Sequence, residues 1–292
     1  MSGFHDGELA VQERAGVRTE ASRLSGMVSP GSLSGGAGLF LSRQRLAMIT
    51  ARDAVGRLWI SPLAAREGFL DGTDTTLSIH NAPGAGDPLH NLPDGQPVGM
   101  VAIDFAARRR LRINGQLTTA GLVGLEVDVD QAFGNCPQYI HRRELIDPSV
   151  ASSTGSVAGD RLTTDQASLV EGADTFFLGT IHPRRGADAS HRGGPAGFVR
   201  VEGDSLWWPD YPGNNMFNSF GNLEVDDEAA LLFIDFTTGE TVQLSGRALI
   251  EWAGAGAEWD EGGTGRRVRF RIERVVGAID ERLRAHELSG QR

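Results

Sequence analysis

The sequence predicts an all-β protein with minor helices, built from two tandem copies of one small barrel. The first observation is a repeat: the segment VGMVAIDFAARRRLRINGQ, from Val98, aligns without a gap with AALLFIDFTTGETVQLSGR, from Ala229. The second is a succession of short apolar or alternating runs separated by Gly, Pro, Asp and Asn, which is typical of strands joined by turns. The third is the length of 292 residues, which fits two domains of about 100–200 residues each.

The repeat continues upstream with a slightly shorter offset, so that Ser61 aligns with Ser190 and Pro83 with Pro212. We therefore divide the chain into four parts. They are an N-terminal extension (residues 1–34), copy one (35–145), a small, polar, Gly/Ser-rich linker (146–162) and copy two (163–285).

The elements of each copy follow in the same order. In copy one a short helix (38–45) precedes strands near 46–50, 57–61, 75–80, 98–105 and 110–117 and an alternating strand at 125–129. Copy two repeats this order, with a helix over 163–171 that has Thr163 or Thr164 as its N-cap and a last alternating strand at 268–272. Alternation predicts strands with one wet face. Five or six such strands close most naturally into a small barrel.

The composition excludes several classes of enzyme. The chain has no lysine, so all 28 positively charged side chains are arginine. This excludes the phosphate-binding loop that ends in Lys-Ser/Thr, cofactors held on a lysine as a Schiff base, and Ser-Lys hydrolases. An anionic ligand must instead be held by arginine, backbone N–H groups and neutral amides. The Rossmann and nucleophile-elbow motifs are also missing.

Charge and cysteine content limit the partners and the compartment. The formal net charge of −10 argues against a nucleic-acid partner. The longest apolar runs are too short to span a membrane, and the N-terminus has no apolar segment typical of a signal peptide. Cys136 is the only cysteine, so we expect a cytoplasmic protein without an internal disulfide. The seven histidines are scattered, and no metal site is predicted.

The two copies differ at two turns. Copy two reads Ser190-His191-Arg192-Gly193-Gly194 where copy one has SPLAA, and later PGNNMFNS where copy one has PGAGDP. Arginine, glycine-rich turns and amides together suit an anion such as a phosphate. Asn and Gly are also the default residues of ordinary turns. Both interpretations remain open on the residues alone.

The segments ADASHRGGPAGFVRV, LWWPDYPGNNMFNSFGNL, AALLFIDF and VQLSGRA resemble the pyridoxamine-phosphate-oxidase-related FMN-binding split-barrel family. The opening FHDGELAVQERAG and the segment FGNCPQYI, from Phe133, resemble a tandem branch of it. The resemblance implies two Greek-key split barrels that form an intramolecular pseudo-dimer, with flavin mononucleotide (FMN) in the groove between them. The chain would be a monomer containing this pseudo-dimer, or a homodimer.

The resemblance also implies the site residues. Those expected to hold the phosphate and ribityl chain are Ser190, Arg192, Asn214, Asn215 and Ser219, with His191, Gly193 and Asn218 beside them. Phe198, Val199 and Arg200 would run beneath the flavin ring, and Asn135, Cys136 and Tyr139 of copy one would approach across the groove. His191 is a candidate catalytic residue; the catalytic residues are otherwise unknown. The segment FNSF, from Phe217, lacks a basic residue that many members place on the phosphate.

The function implied is an FMN-dependent oxidoreductase that acts on a small-molecule substrate. Since no nicotinamide-binding domain is visible, NAD(P)H would bind directly over the flavin, or an external reductase would supply the electrons. The alternative is a non-catalytic flavin, deazaflavin or haem-binding protein. A third hypothesis is a fold that has lost its cofactor and serves as an interaction module.

Overall fold

A computed structural model describes residues 3–28, 31–134, 137–146, 153–254 and 256–288. The N-terminal extension contains helices α1 (Asp6–Arg14) and α2 (Arg18–Ser22) and a 3-10 turn (Ser25–Val28), and helix α3 (Gly36–Ser42) opens copy one. Copy one contains β1 (Leu46–Arg52), β2 (Leu58–Ala64), β3 (Leu70–Thr73), β4 (Thr76–Ile79), β5 (Gln96–Asp104), β6 (Arg109–Ala120) and β7 (Leu125–Gly134). The strands β8 (Arg143–Leu145) and β9 (Ser153–Gly159) lie between the copies.

Copy two begins with helix α4 (Thr164–Gly172). Its strands and remaining helix are β10 (Thr175–His182), β11 (Gly186–Gly193), β12 (Arg200–Glu202), β13 (Ser205–Pro209), α5 (Asn218–Val225), β14 (Glu228–Ile234), β15 (Glu240–Trp252) and β16 (Arg266–Asp280). A 3-10 turn (Glu281–Leu283) and β17 (Ala285–Glu287) follow.

The two copies have the same topology. Copy one is an antiparallel sheet in the order β2-β1-β5-β6-β7-β4-β3, and copy two repeats it as β11-β10-β14-β15-β16-β13-β12. The registers repeat as well: Leu46 pairs with Ala64, and the residues that the repeat aligns with them, Thr175 and Gly193, also pair. Each copy also carries a bulge at the same place, after Asn114 and after Ser245. The predicted duplication is therefore confirmed strand by strand.

Among the described residues, seven strands recur in each barrel rather than the five or six expected, and β9 adds an eighth strand to the sheet of copy two. The strand that the sequence pattern missed in copy one is β3, which has only four residues and contains Gly72. Its pairing with β4 forms one edge of the sheet. A strand this short gives no alternation to detect, so only its partner was predicted.

Among the described residues, three large apolar cores and one small cluster around Met216 hold the molecule together. The two faces of one strand serve different cores: Ala47 and Ile49 of β1 point into copy one, whereas Leu46 and Met48 join a core that also contains Phe177 of copy two. A separate core fills copy two. Because strands that are buried on both faces need apolar residues throughout, β1 reads as a continuous apolar run. The shared core makes the two barrels an intramolecular pseudo-dimer.

The segment between the copies contains regular structure. Residues 153–159, which the composition assigned to a linker, form β9 and pair with β16. Upstream of it, β8 pairs with the C-terminal β17. Composition could not predict β9, because its small polar residues are typical of a linker. They form a strand here because β16 supplies the backbone partners.

The helix that opens copy two was predicted closely. Thr163 is its N-cap: the Thr163 hydroxyl accepts from the Gln166 N–H, and the Gln166 side chain accepts from the Thr163 N–H. This capping box satisfies two of the otherwise unpaired N–H groups of the first turn. In copy one the corresponding helix, α3, begins two residues earlier than expected, at Gly36. No helix among the described residues is long and apolar enough to cross a bilayer.

Candidate functional site

A cleft lies where copy two meets copy one. Its cavity of about 120 Å³ is bounded by the end of β11, the turn before α5, the first residues of α5 and the start of β6. Its lining contains four arginines, contributed by both copies: Arg110, Arg112, Arg192 and Arg266.

Arg192 is the most unusual of these residues. It lies deep among packed side chains and keeps part of its surface open to the cleft. Its Nε is buried, and the side chain has no hydrogen bond or ion pair with any residue that the structure describes. Phe220 packs 5.4 Å from the guanidinium carbon. Burial lowers the pKa of Arg192 to about 10, so it stays charged at neutral pH. A buried charge without a partner is costly, and an anionic ligand would remove that cost.

Arg112 reaches into copy two from β6. Its Nη1 lies 3.3 Å from both carboxylate oxygens of Asp188 on β11. Asp188 also accepts a hydrogen bond from the Ser219 hydroxyl at 2.9 Å, and that hydroxyl lies 3.1 Å from Ser190 Oγ. This buried network fixes the first turn of α5 against β11.

The side chain of His191 is held neutral. Arg110 Nη1 lies 2.7 Å from His191 Nδ1, and since guanidinium only donates, Nδ1 accepts and the ring proton is on Nε2. Burial, together with the charge of Arg110, holds the pKa of His191 well below its usual value. Its Nε2 is buried without a partner among the described residues. His191, which is among the residues that line the cleft, therefore has one N–H donor that no described residue accepts.

Arg266 closes the far side of the cleft. Its Nε donates to Asp210 Oδ2 at 2.9 Å, and its guanidinium carbon lies 5.1 Å from the ring of Phe217. Two of the four arginines pair with aspartates, Arg112 with Asp188 and Arg266 with Asp210, whereas Arg192 pairs with no carboxylate of the described residues. A phosphomonoester, which carries a charge of about −1.5 to −2 at neutral pH, would supply the anionic partner that Arg192 lacks.

The turn before α5 has a strained backbone. Asn215 and Phe217 adopt left-handed conformations, with φ of 61° and 59°. For a bulky residue such as Phe217 this conformation is rare, and such strain is concentrated at ligand sites. α5 begins directly after Phe217 without a side-chain cap. The unpaired N–H groups of its first turn border the cleft at Asn218 and Ser219, where they can bind an anion.

Copy one also supplies an aromatic wall. Tyr139 stacks on Tyr211 with ring centroids 5.3 Å apart, and its hydroxyl donates to the Pro212 carbonyl at 3.1 Å. The Tyr139 backbone passes so close to β11 that a Cβ on Gly193 would lie 2.0 Å from the Tyr139 carbonyl oxygen. This close approach explains the glycine at position 193.

The structure brings most of the residues expected from the sequence together. Those that line the cleft are His191, Arg192, Gly193, Phe198, Asn214, Asn215, Asn218, Ser219 and Tyr139. Ser190 lies behind the lining and bonds to Ser219, Val199 is in the core of copy two, and Arg200 pairs with Glu261 at the surface. Asn135 and Cys136 lie outside the described residues.

Sequence reasoning missed Arg110, Arg112 and Arg266. Arg110 belongs to a run of three arginines, Arg108 to Arg110, and such a run is typical of a solvated hairpin end; in the structure Arg110 instead lines the cleft. The repeat held a signal for Arg112, which aligns with Gln243 of copy two. An arginine in one copy and a neutral amide in the other marks an asymmetry as clear as the one at Arg192.

At the equivalent place on the other side of the pseudo-dimer, a carboxylate of copy one is bonded by the protein itself. Asp87 accepts hydrogen bonds from Ser61 Oγ at 2.6 Å and from Gln243 Nε2 at 3.2 Å. By the repeat, Ser61 corresponds to Ser190 and Gln243 to Arg112. Asp87 of copy one thus accepts hydrogen bonds from the two residues that correspond to Ser190 and Arg112 at the open cleft.

Residues 162–270 match the sequence profile of the pyridoxamine 5'-phosphate oxidase family. Copy two belongs to this oxidase family. Copy one repeats the strand order and register of copy two, so both halves have the split-barrel fold of the oxidase family. No curated protein matches the chain.

Three solved structures illustrate the range of similar proteins. HupZ of Group A Streptococcus is 15% identical, with a TM-score of 0.32, and the match covers 39% of this chain and 91% of that one. HutZ, the haem storage protein from Vibrio cholerae, is 11% identical (TM-score 0.30; 40% and 93% covered). The FAD binding protein from Mycobacterium smegmatis is 12% identical (TM-score 0.29; 41% and 97% covered).

Proposed function

We propose that this chain binds one FMN in the cleft between its two barrels and acts as a flavin-dependent oxidoreductase on a small-molecule substrate. The observation that carries the proposal is the side chain of Arg192. Its guanidinium lies deep in the protein and forms no hydrogen bond or ion pair with any described residue. Membership of copy two in the pyridoxamine 5'-phosphate oxidase family supports a flavin as the ligand.

The residues of the cleft fit a phosphate-bearing flavin. Arg192 and the first N–H groups of α5 would hold the phosphate, whose negative charge would pair with the guanidinium of Arg192. The amides of Asn214 and Asn215 lie in the same lining and suit the hydroxyl groups of a ribityl chain. Phe198 and Trp208 add apolar surface for a planar ring.

The bound flavin would supply the hydride or electron chemistry, and the protein would bind, orient and shield it. His191 is well suited to orientation, because it stays neutral and its Nε2–H is unused. Arg110 fixes the tautomer that keeps this donor available. Phe105 and Phe177 pack edge-on against the His191 ring, with centroids 6.1 and 5.7 Å away, and exclude water from it.

The partners follow from the same proposal. Reducing equivalents would come from NAD(P)H bound over the flavin or from a separate reductase, and the chain would work in the cytoplasm. The wall formed by Tyr139 and Tyr211 borders a second, open cavity, which leaves room for such a small molecule beside the cofactor cleft.

The decisive experiment is the spectrum of the purified protein, followed by mass analysis of the released ligand. We expect the absorption of oxidised flavin, a released mass equal to that of FMN, and bleaching on addition of NAD(P)H or a reductase. A haem or deazaflavin spectrum would contradict the choice of FMN. Colourless protein that FMN cannot reconstitute would contradict the proposal as a whole.

A further inference from the structure

Helix α1, which belongs to neither barrel, packs directly on α5. Gly7 and Gly221 face each other where the helices cross: a Cβ on Gly7 would lie 2.1 Å from the Gly221 carbonyl oxygen, and one on Gly221 would lie 2.6 Å from the Glu8 nitrogen. Val11 of α1 and Leu223 of α5 join the core of copy two. The two backbones are therefore in contact, and neither glycine can be replaced without moving α1.

One face of α1 bonds to the segment that forms the candidate phosphate turn. Gln12 Nε2 donates to the Met216 carbonyl at 3.1 Å, and the Asn218 side-chain amide donates to Glu8 Oε1 at 2.5 Å. Glu8 and Gln12 are one helical turn apart, so both point the same way. Their exposed fractions are 4% and 1%, so these bonds lie out of water.

The turn also depends on the N-terminal segment for its packing. Met216 is fully buried against Phe133, and Phe4 and Leu24 pack on this pair. The left-handed residue Phe217 stands next to Met216. A strained conformation persists only where its surroundings determine it, and here part of those surroundings is the N-terminal segment.

We infer that α1 is a part of the flavin site: by fixing the Met216 carbonyl and the Asn218 side chain, Gln12 and Glu8 position the anion-binding turn of copy two. This rests on the proposed flavin site. Gln12 and Glu8 are positioning residues, since they act through the turn. Helix α1 is then needed for cofactor affinity and not only for stability.

The first test compares full-length Gln12→Leu, which removes the donor and keeps the bulk, with Gln12→Ala. Since a buried hydrogen bond contributes about 1 kcal/mol, we expect the dissociation constant of FMN, measured by quenching of flavin fluorescence, to rise about five- to tenfold. The matched control is Glu13→Ala on the exposed face of α1, where Glu13 pairs only with Arg18. The affinity of that control should equal the wild-type value.

A second readout separates positioning from general stability. Amide hydrogen exchange of residues 214–220 should become faster in Gln12→Leu without added flavin, while exchange in copy one stays unchanged. Leu77→Val, in the distant core of copy one, should lower the melting temperature and leave both the FMN affinity and this exchange unchanged.

The outcomes distinguish the two proposals. If wild-type protein binds no FMN, the proposed function fails, and the exchange experiment still tests the role of α1. If Gln12→Leu binds FMN as tightly as the wild type and its turn exchanges no faster, the inference about α1 is overturned and the proposed function stands. A lower melting temperature with unchanged FMN affinity would likewise overturn it.

Discussion

Thr50 and Gly179 occupy equivalent positions in the two copies and touch each other. They lie on β1 and β10, and the repeat aligns them with the same offset that relates Ser61 to Ser190. A Cβ on Gly179 would lie 2.7 Å from both Oγ1 and Cγ2 of Thr50. Equivalent residues meet only where a pseudo-two-fold axis passes. The axis that relates the barrels therefore runs between these two positions, and only one of them has room for a side chain.

The first prediction concerns this contact. Gly179→Thr should lower the free energy of unfolding by about 1–3 kcal/mol, because overpacking a closed interface forces side chains and backbone apart. The double substitution Thr50→Gly with Gly179→Thr should recover most of the loss, since it supplies the same side chain from the other strand. Denaturant titration measures both. Gly172→Ala, where a Cβ meets nothing within 4 Å, is the control. A double variant no more stable than Gly179→Thr would contradict the axis.

The second prediction concerns Arg192. Arg192→Ala should weaken FMN about ten- to a hundredfold, because a hydrogen bond to a charged group contributes about 1.5–3 kcal/mol. Arg192→Lys should restore only part of this, since lysine lacks the planar fork. Fluorescence titration gives the affinities. Arg271→Ala, at a surface ion pair with Glu273, is the control and should bind normally. Unchanged affinity in a folded Arg192→Ala protein would remove Arg192 from the site.

The third prediction is a stoichiometry of one flavin per chain. Two equivalent grooves would bind two, but in copy one Leu63 stands where copy two has Arg192, and the carboxylate of Asp87 bonds to Ser61 and Gln243. The carboxylate of Asp87 in the second groove would repel a phosphate. After saturation with FMN and desalting, the flavin released on denaturation should equal the protein in moles. A reproducible ratio near two would show that copy one also binds.

The repeat makes the fold predictable from the sequence. The C-terminal ends of β5 and β14 carry the same motif, Ile103-Asp104-Phe105 in copy one and Ile234-Asp235-Phe236 in copy two. Aligning such motifs predicts from the sequence alone that the chain consists of two barrels, one after the other. The repeat could not predict which residues from distant parts of the chain reach the site of copy two. Arg266 approaches the cleft from β16, far along the chain, and Gln12 bonds to the turn before α5 from a helix with no counterpart in copy one. Their roles depend on contacts between distant segments.

The fourth prediction concerns the pH dependence of stability, through Asp87. Burial raises the pKa of Asp87 to about 6, despite the hydrogen bonds that it accepts from Ser61, Leu89 and Gln243. The folded protein therefore binds a proton at Asp87 more tightly than the unfolded chain, whose aspartates titrate near 3.8. The resulting stabilisation is fully present below about pH 4, is lost as the pH rises through about 6, and is absent at higher pH.

The shift in pKa sets the size of the effect. Two pH units at about 1.4 kcal/mol each give an upper limit of about 3 kcal/mol. Asp87→Asn removes the titration, so the difference in unfolding free energy between wild type and variant should move in favour of the variant between pH 4 and 6. Denaturant titrations at half-unit intervals from pH 4 to 8 measure this difference, and other groups that titrate in this range cancel in it. A difference that stays constant over this range would show that Asp87 titrates in the folded protein as it does in the unfolded chain.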